Sequence, residues 1–280
     1  MTTNDFNLNS LVEKAEQAIP KSENDYYEDG ILFCGTCRTP KETIIKHLGT
    51  SRKVRCVCNC AKEEAEKADR EIHLQNYKIH IEEMRLRGIP DEYYRSMRFE
   101  NDDDSESPVS KKCRKYVENW DKMYASNFGM MFYGNAGTGK SFLAACIANK
   151  IIDMGFSVIM TSFPKILAMD FKEFEDFLNK IPSYPLMIID DVGAESNRDY
   201  ASERMYAVVD CRYTSHKPLI ITTNLSPSEI KKPSRIDLTR VYERISEMCG
   251  SFPLELVGDS RRKKIARNKW EEAKRILGED

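Results

Sequence analysis

A glycine-rich turn near the middle of the chain has the composition of a phosphate-binding loop. The turn consists of Gly134, Asn135, Ala136, Gly137, Thr138, Gly139, Lys140 and Ser141. It matches the pattern G-x-x-x-x-G-K-[ST], with the apolar segment MMFY before it and SFLAACIANKII after it. Glycines let the backbone wrap around phosphate oxygens, so that amide N–H groups and a helix N-terminus face the anion. The pattern predicts that Lys140 reaches the β- and γ-phosphates of a nucleotide and that Ser141 offers its hydroxyl to Mg²⁺.

Two further apolar segments end in polar residues that suit the same chemistry. The segment PLMIIDD ends in Asp190, a predicted Mg²⁺ ligand, and Asp191, which we expect to orient and deprotonate the attacking water. Ring ATPases often carry Glu at the second position, so the shorter Asp191 predicts slow hydrolysis. The segment KPLIITTN ends in Asn224, whose amide is expected to hold water near the γ-phosphate.

Five of the nine cysteines cluster in the first quarter of the chain. Cys34 and Cys37 form one CxxC pair, and 18 residues separate it from the CxCxC segment 56–60. Zinc binds four thiolates in a tetrahedron, and about 30 residues without a metal hold too little core to fold alone. We predict a zinc-ribbon-like module whose ligands are Cys34, Cys37, Cys58 and Cys60. Cys56 is able to replace one of the four, and His47 is a less favoured ligand.

The elements that must position these residues alternate regularly from residue 111 onward. Helices are predicted over residues 111–126, 140–154, 164–179 and 202–214. Strands are predicted over residues 130–133, 157–161, 186–189 and 219–223. Short apolar strands separated by helices indicate an α/β fold with a parallel sheet covered by helices on both faces.

Composition divides the chain into four predicted regions. Residues 1–30 hold seven acidic residues against two lysines and form an acidic, largely disordered segment. Residues 31–62 form the zinc module, residues 63–88 a helical linker rich in charge, and residues 89–280 the nucleotide-binding domain. The net charge of −2 excludes a global basic field for nucleic acid, although residues 261–275 carry eight Lys and Arg. No apolar run reaches the about 18 residues of a membrane span, and the N-terminus lacks a signal peptide, so we expect a cytoplasmic protein with no membrane partner.

The segments that carry a family resemblance occur in this order: GIPDEYYRSMRFEND, FYGNAGTGKSFLAACIAN, LMIIDDVG, VVDCRYTSHKPLIITTNLS, RVYERI and GDSRR. Over about residues 88–265 the chain resembles the DnaC/IstB-like AAA+ ATPases. The resemblance implies an AAA+ P-loop sheet with a small C-terminal lid. It also implies that Asn224 is sensor 1, that Arg262 is sensor 2, and that Arg244 is an arginine finger. An arginine finger acts on ATP in a neighbouring subunit, which requires self-assembly.

The resemblance also implies contacts with single-stranded DNA. Members of the family carry a DNA-gripping helix after the second strand, and the candidate here is residues 163–181, with Lys165 and Lys172. Arg198 and Tyr200 follow the Asp190–Asp191 pair and would add a phosphate contact and a stacking ring. The basic residues 261–275 are the alternative DNA site.

Three functions remain open at the level of sequence. The leading one is an ATPase that uses ATP, Mg²⁺ and Zn²⁺ and loads a hexameric replicative helicase onto single-stranded DNA. The zinc module favours it, because an N-terminal cysteine cluster on this ATPase resembles the helicase loaders of phages and Gram-positive-type bacteria. The second is an IstB-like transposition helper. The third is a regulatory adaptor that binds nucleotide with little turnover.

Overall fold

The computed structural model describes residues 22–47, 49–193, 199–231, 233, 238–250, 253–258 and 260–278. The chain divides into two compact units, Met1–Lys78 and Ile79–Asp280. Within the described ranges, no helix is both long enough and apolar enough to cross a membrane. The longest helix, α1 (Asn59–Gly88), contains the division between the units and begins four residues before the predicted linker.

Two β-hairpins build the first unit. Strand β1 (Tyr26–Glu28) pairs with β2 (Ile31–Phe33), and β3 (Glu42–His47) pairs with β4 (Thr50–Arg55), both antiparallel. The first turn is tight, because Asp29 and Gly30 adopt φ values of +47° and +74°. The sequence did not predict β1, which lies within the segment assigned as largely disordered; residues 1–21 of that segment lie outside the described residues.

A five-stranded parallel sheet forms the centre of the second unit, which confirms the predicted fold class. Its strands are β5 (Met130–Tyr133), β6 (Val158–Ser162), β7 (Leu186–Val192), β8 (Leu219–Thr223) and β9 (Leu254–Glu255). Their order across the sheet is β6-β7-β8-β5-β9. Only β9 was absent from the prediction; at two residues it is too short to show an apolar pattern in the sequence.

Ten helices of the described chain follow α1. They are α2 (Glu92–Arg95), α3 (Pro108–Glu118), α4 (Trp120–Ala125), α5 (Lys140–Asp153), α6 (Phe163–Ala168), α7 (Phe171–Lys180), α8 (Asp199–Thr214), α9 (Pro227–Lys231), α10 (Thr239–Cys249) and α11 (Arg261–Leu277). Two single helices of the prediction are each split in two. The helix at 111–126 breaks at Asn119, and the helix at 164–179 breaks before Asp170. Asp170 starts a new helix because its carboxylate accepts from the Glu173 backbone N–H, while the Glu173 carboxylate accepts from the Asp170 backbone N–H.

The apolar core lies on both faces of the sheet. Successive residues of a strand point to opposite faces, so Phe132 and Ile188 join one buried cluster, whereas Met131 and Ile189 join the other. Helices α3, α4 and α5 cover the first face, and α6, α8 and α10 cover the second. The sheet is therefore buried on both sides, as its nearly continuous apolar strands require.

Candidate functional site

The three polar strand ends meet at one edge of the sheet. Strand β8 lies between β5 and β7, so Asn224, just beyond β8, lies between the glycine-rich turn and the Asp190–Asp191 pair. Because all three strands are parallel, their carboxyl ends share this edge. The strand order thus places the three predicted segments around a common point.

Lys140 is the centre of this arrangement. Its ammonium donates to the carbonyl oxygens of Gly134 at 2.9 Å and Asn135 at 2.8 Å, and to Oδ1 of Asn224 at 2.9 Å. The side chain is buried. An incoming phosphate would offer this cation anionic oxygens, and hydrogen bonds to ionised acceptors are stronger than those to neutral carbonyl and amide oxygens.

The glycine-rich turn has the backbone that a bound phosphate needs. Gly137 and Gly139 adopt φ values of +85° and +101°, which a residue with a Cβ atom rarely adopts. A Cβ on Gly137 would collide with Ser260, and one on Gly139 would lie 2.9 Å from Nε of Arg261. The turn opens on a cavity of about 260 Å³, which Lys140, Ser141, Asp191 and Asn224 also line. The hydroxyl of Ser141 and the carboxylate of Asp191 are oxygen donors of the kind that suit a magnesium ion beside a triphosphate. Asp190, the predicted ligand, is not among the residues that line the cavity in the described chain.

The two adjacent aspartates have different surroundings. Asp190 is buried, and its two carboxylate oxygens accept from Thr222 Oγ1 at 2.5 Å and from the Tyr94 hydroxyl at 3.0 Å. Asp191 lines the cavity, and its backbone N–H donates to Thr222 Oγ1 at 3.0 Å. Asp191 has a φ of +54° and lies where the register between β7 and β8 shifts. This irregular backbone gives the carboxylates of Asp190 and Asp191 different surroundings. Burial raises the pKa of Tyr94, so its hydroxyl stays protonated and donates.

The arginine that the structure places at the glycine-rich turn is Arg261. Its backbone N–H donates to Gly137 O at 2.8 Å, and its guanidinium pairs with Asp102 and Asp103, each at 3.1 Å. Its side chain lines the cavity. Sequence reasoning chose Arg262 for this position, whose side chain lies outside the described residues. Sequence reasoning gave Arg261 no role, although it is the first of the two adjacent arginines in GDSRR.

Arg244, the expected arginine finger, is not among the residues that line the cavity in the described chain. It forms an ion pair with Asp210 on α8. Its guanidinium lies 5.0 Å from the ring centroid of Tyr206 and 5.2 Å from that of Tyr213. An arginine that completes a site in another subunit is expected outside its own chain's cavity, so this placement is compatible with the trans role.

The described residues expected to contact DNA lie on three consecutive helices, with Lys165 on α6, Lys172 on α7 and Tyr200 on α8. Lys165 lies 3.6 Å from the carboxylate of Asp91, and Lys172 is exposed on α7. Tyr200 is 47% exposed, but the Arg204 guanidinium lies 4.3 Å from its ring centroid. Arg198 lies outside the described residues. The DNA contacts therefore stay predictions.

Four cysteine sulfurs of the first unit converge in the way that the spacing predicted. The Sγ atoms of Cys34, Cys37, Cys58 and Cys60 all lie within 4.8 Å of one another. Cys60 Sγ lies 3.5 Å from Cys34 Sγ and 3.4 Å from Cys58 Sγ. Thiolates bound tetrahedrally to zinc lie about 3.8 Å apart. The fifth cysteine, Cys56, is outside this group and faces the Pro40 carbonyl, while the His47 side chain lies outside the described residues.

The ionisation of this cluster suits a cation. Hydrogen bonds from the Thr39 side chain and the Cys60 backbone lower the pKa of the Cys37 thiol to about 5. Hydrogen bonding with Cys58 and Cys34 raises the pKa of Cys60 to about 12. The clustered sulfurs thus share protons, and a divalent cation among them would let all four ionise.

A buried ion pair supports the first cysteine pair. Lys41 Nζ donates to Asp25 Oδ2 at 2.7 Å, and Gly35 N–H donates to Asp25 Oδ1 at 3.2 Å. The hydrogen bond from Lys41 lowers the pKa of Asp25 to about 2. Gly35 lies between Cys34 and Cys37, so Asp25 fixes the backbone that carries both thiols. Sequence reasoning missed this pair because 15 residues separate Asp25 from Lys41.

Comparison with known proteins identifies relatives of the second unit. The family described as IstB-like ATP binding protein matches residues 98–268. The chain is 27% identical over 149 residues to the replicative helicase loader DnaI of Bacillus subtilis (strain 168), covering 48% of this chain and 47% of the relative. It is 32% identical over 128 residues to the replicative helicase loader DnaC of Escherichia coli (strain K12), covering 43% and 51%. The chain thus spans about half the length of these curated relatives.

A solved structure shares the fold. The crystal structure of DnaI superposes with a TM-score of 0.51 at 18% sequence identity, covering 61% of this chain and 96% of that chain. At this identity the likeness concerns the arrangement of helices and strands alone.

Proposed function

Because the chain belongs to the family of IstB-like ATP-binding proteins, we propose that it is an ATPase that loads a hexameric replicative helicase onto single-stranded DNA. One observation carries the ATPase part of the proposal. Lys140 and Asn224 are joined at 2.9 Å beside a cavity that Ser141 and Asp191 also line. The loader part rests on the likeness to the replicative helicase loaders DnaI and DnaC.

In the proposed mechanism, Lys140 exchanges its carbonyl partners for the β- and γ-phosphates of ATP. A cation held by Ser141 and Asp190 would neutralise charge on the phosphate oxygens. Asp191 accepts a proton from the attacking water, and Asn224 orients that water once Lys140 has turned to the phosphate. Arg261, at the rim of the same cavity, supplies positive charge in cis.

Arg244 of a neighbouring subunit supplies the remaining positive charge. A guanidinium that reaches the transferring phosphoryl group from another subunit makes hydrolysis depend on assembly. The ion pair of Arg244 with Asp210 has to be given up for that contact. The proposed loader therefore assembles on single-stranded DNA in its ATP state and dissociates after hydrolysis.

The first unit is assigned to the helicase. The four-cysteine module, the acidic residues before it and helix α1 would form the docking region, because all three motifs of the ATP site come later in the sequence, from residue 134 onward. The domain divisions at residues 30, 62 and 88 belong to the same proposal.

A second candidate is a transposition helper that remodels a transposase–DNA complex. The description of the matching family, IstB-like ATP binding protein, favours it. This candidate shares the ATP site and differs in its protein partner. Binding to a hexameric helicase separates the two.

ATP turnover with and without single-stranded DNA tests the role of Arg244. We compare wild type, Arg244→Ala and the control Arg240→Ala, since Arg240 is an exposed arginine on the same helix. Arginine fingers are worth about 10³-fold or more in rate, so Arg244→Ala should reduce DNA-stimulated turnover to background and keep ATP binding. Arg240→Ala should behave as wild type.

Two results would oppose this account. An unchanged rate in Arg244→Ala would remove that residue from the mechanism. A wild-type protein that binds ATP with no turnover under any DNA condition would favour the nucleotide-binding adaptor.

A further inference from the structure

A chain of buried polar contacts runs from the last turn of α1 to Asp190. Arg85 Nη1 donates to Oδ1 of Asn149 on α5 at 2.6 Å. Asn149 Nδ2 donates to the backbone oxygens of Tyr94 at 2.8 Å and Met97 at 2.9 Å. The Tyr94 hydroxyl then donates to Asp190 Oδ2. Asn149 is fully buried and Arg85 is 3% exposed, so water does not compete for these bonds.

This chain is more than packing requires. A buried arginine is costly unless its charge is paired, and Arg85 pairs with Asp153 at 2.5 Å. An apolar side chain on α5 would fill the space of Asn149 without that cost. Asn149 instead bonds the backbone carbonyls of Tyr94 and Met97, and so holds the backbone from residue 94 to residue 97 in place.

The Tyr94 hydroxyl bonds the second carboxylate oxygen of Asp190. Thr222 donates to Oδ1 and Tyr94 donates to Oδ2, so both carboxylate oxygens already accept a hydrogen bond. Each ionised carboxylate oxygen has two lone pairs, so a cation, or a water molecule of its shell, that binds Oδ2 either shares that oxygen with Tyr94 or displaces its hydroxyl.

We propose that Tyr94 is a positioning residue that gates Asp190, occupying Oδ2 until the metal–nucleotide complex displaces it, and that Arg85 and Asn149 hold Tyr94 in that place. The inference rests on the proposed ATP site. Arg85 lies in the last turn of α1, so a shift of that turn would change how firmly Tyr94 is held against Asp190. Such a shift would therefore change the Mg²⁺ concentration that nucleotide binding requires. The direction of the effect distinguishes two roles of Tyr94. A tyrosine that orients Asp190 for the metal would increase the affinity of the site for Mg²⁺, whereas a tyrosine that gates Asp190 decreases it.

Binding of a fluorescent ATP analogue to the full chain, titrated with Mg²⁺, tests the gate. Tyr94→Phe removes only the hydroxyl, and Tyr124→Phe is its control, since Tyr124 on α4 is not among the residues that line the cavity in the described chain. Loss of one hydrogen bond to a carboxylate should lower the half-saturating Mg²⁺ concentration of Tyr94→Phe by about three- to tenfold. Analogue binding in excess chelator should be equal in all three proteins, and Tyr124→Phe should match wild type.

Arg85→Lys tests the connection to α1. Lysine keeps the charge beside Asp153 but loses the planar fork that reaches Asn149, so the half-saturating Mg²⁺ concentration should fall part of the way. In the double variant with Tyr94→Phe the two effects should not add, because the gate is lost only once. Arg87→Lys, on an exposed arginine of the same turn, is the matched control and should change nothing.

Each contrary result has its own meaning. A higher or unchanged Mg²⁺ requirement in Tyr94→Phe, with wild type binding the analogue, overturns the gate and leaves the ATP site standing. If the effects of Tyr94→Phe and Arg85→Lys on the half-saturating Mg²⁺ concentration add fully, α1 does not hold Tyr94 in place. A wild-type protein that binds no analogue contradicts the gate and the ATP site together.

Discussion

The two units of this chain hold their functional residues by different means. In the second unit, apolar clusters on both faces of the sheet fix the strand ends that carry Lys140, Asp190 and Asn224. In the described part of the first unit, the buried residues are few. They are Leu32, Cys34, Lys41 and Cys58. Two of these four are proposed zinc ligands and a third is the partner of Asp25.

The difference shows where each unit's stability comes from. Apolar burial is non-directional, and the buried fraction of the surface increases with the size of a domain. The core that stabilises the large unit therefore also holds its site residues in position. The described part of the small unit buries few apolar side chains, and we propose that it depends on four cysteines as zinc ligands and on the ion pair of Asp25 with Lys41. Removal of the metal should therefore destabilise only the first unit, and a cavity in the apolar core should destabilise only the second.

Removal of the metal is expected to have the largest effect. Structural zinc sites contribute about 10–16 kcal/mol of apparent binding free energy, which is folding free energy for a small module. Cys34→Ser should lose the one equivalent of zinc and expose the amides of residues 31–62 to hydrogen exchange, while ATP binding persists. Mass spectrometry of metal content and of exchange measures both.

Cys56→Ser is the matched control, because its sulfur lies outside the group of four. It should retain zinc and exchange protection. Wild-type protein without zinc, or equal loss of zinc in the Cys56 and Cys34 variants, would contradict the assignment of the ligands.

A cavity in the core of the second unit should have the next largest effect. Phe132 is fully buried in β5, the strand that leads into the glycine-rich turn. Phe132→Ala should lower the free energy of unfolding by about 3–5 kcal/mol, measured by urea denaturation. Zinc content should remain at the wild-type value, because the ligands belong to the other unit.

Phe171→Ala, at a side chain that is 79% exposed, provides the comparison and should change stability by less than about 0.5 kcal/mol. If Phe132→Ala also released zinc, the two units would not be stabilised independently.

Local pattern predicted most of the second unit. Apolar strands four to seven residues long and a glycine-rich turn are signals within a short window, so four of the five strands and the phosphate-binding turn follow from the sequence. The spacing of Cys34, Cys37, Cys58 and Cys60 likewise identified the four sulfurs that converge.

The rest depends on contacts between distant residues. Tyr94 and Asp190 are 96 positions apart, and Arg261 and Asp102 are 159 apart, so no local pattern announces either pair. The family resemblance favoured the second arginine of GDSRR, whereas the backbone bond from Arg261 to Gly137 brings the first one to the turn. The split before Asp170 shows the opposite case, since a capping box is a local signal that helix periodicity concealed.

Loading of the helicase itself is the first measurement to make. The purified chain is mixed with the hexameric replicative helicase of the same genome and with circular single-stranded DNA, which offers no end to thread. We expect a stoichiometric complex, and helicase retained on the circles only with ATP. We expect loss of that retention in Lys140→Ala but not in Lys150→Ala, an exposed lysine at the other end of α5. No complex with the helicase under any nucleotide condition would contradict the loader and leave the transposition helper as the function of this ATP site.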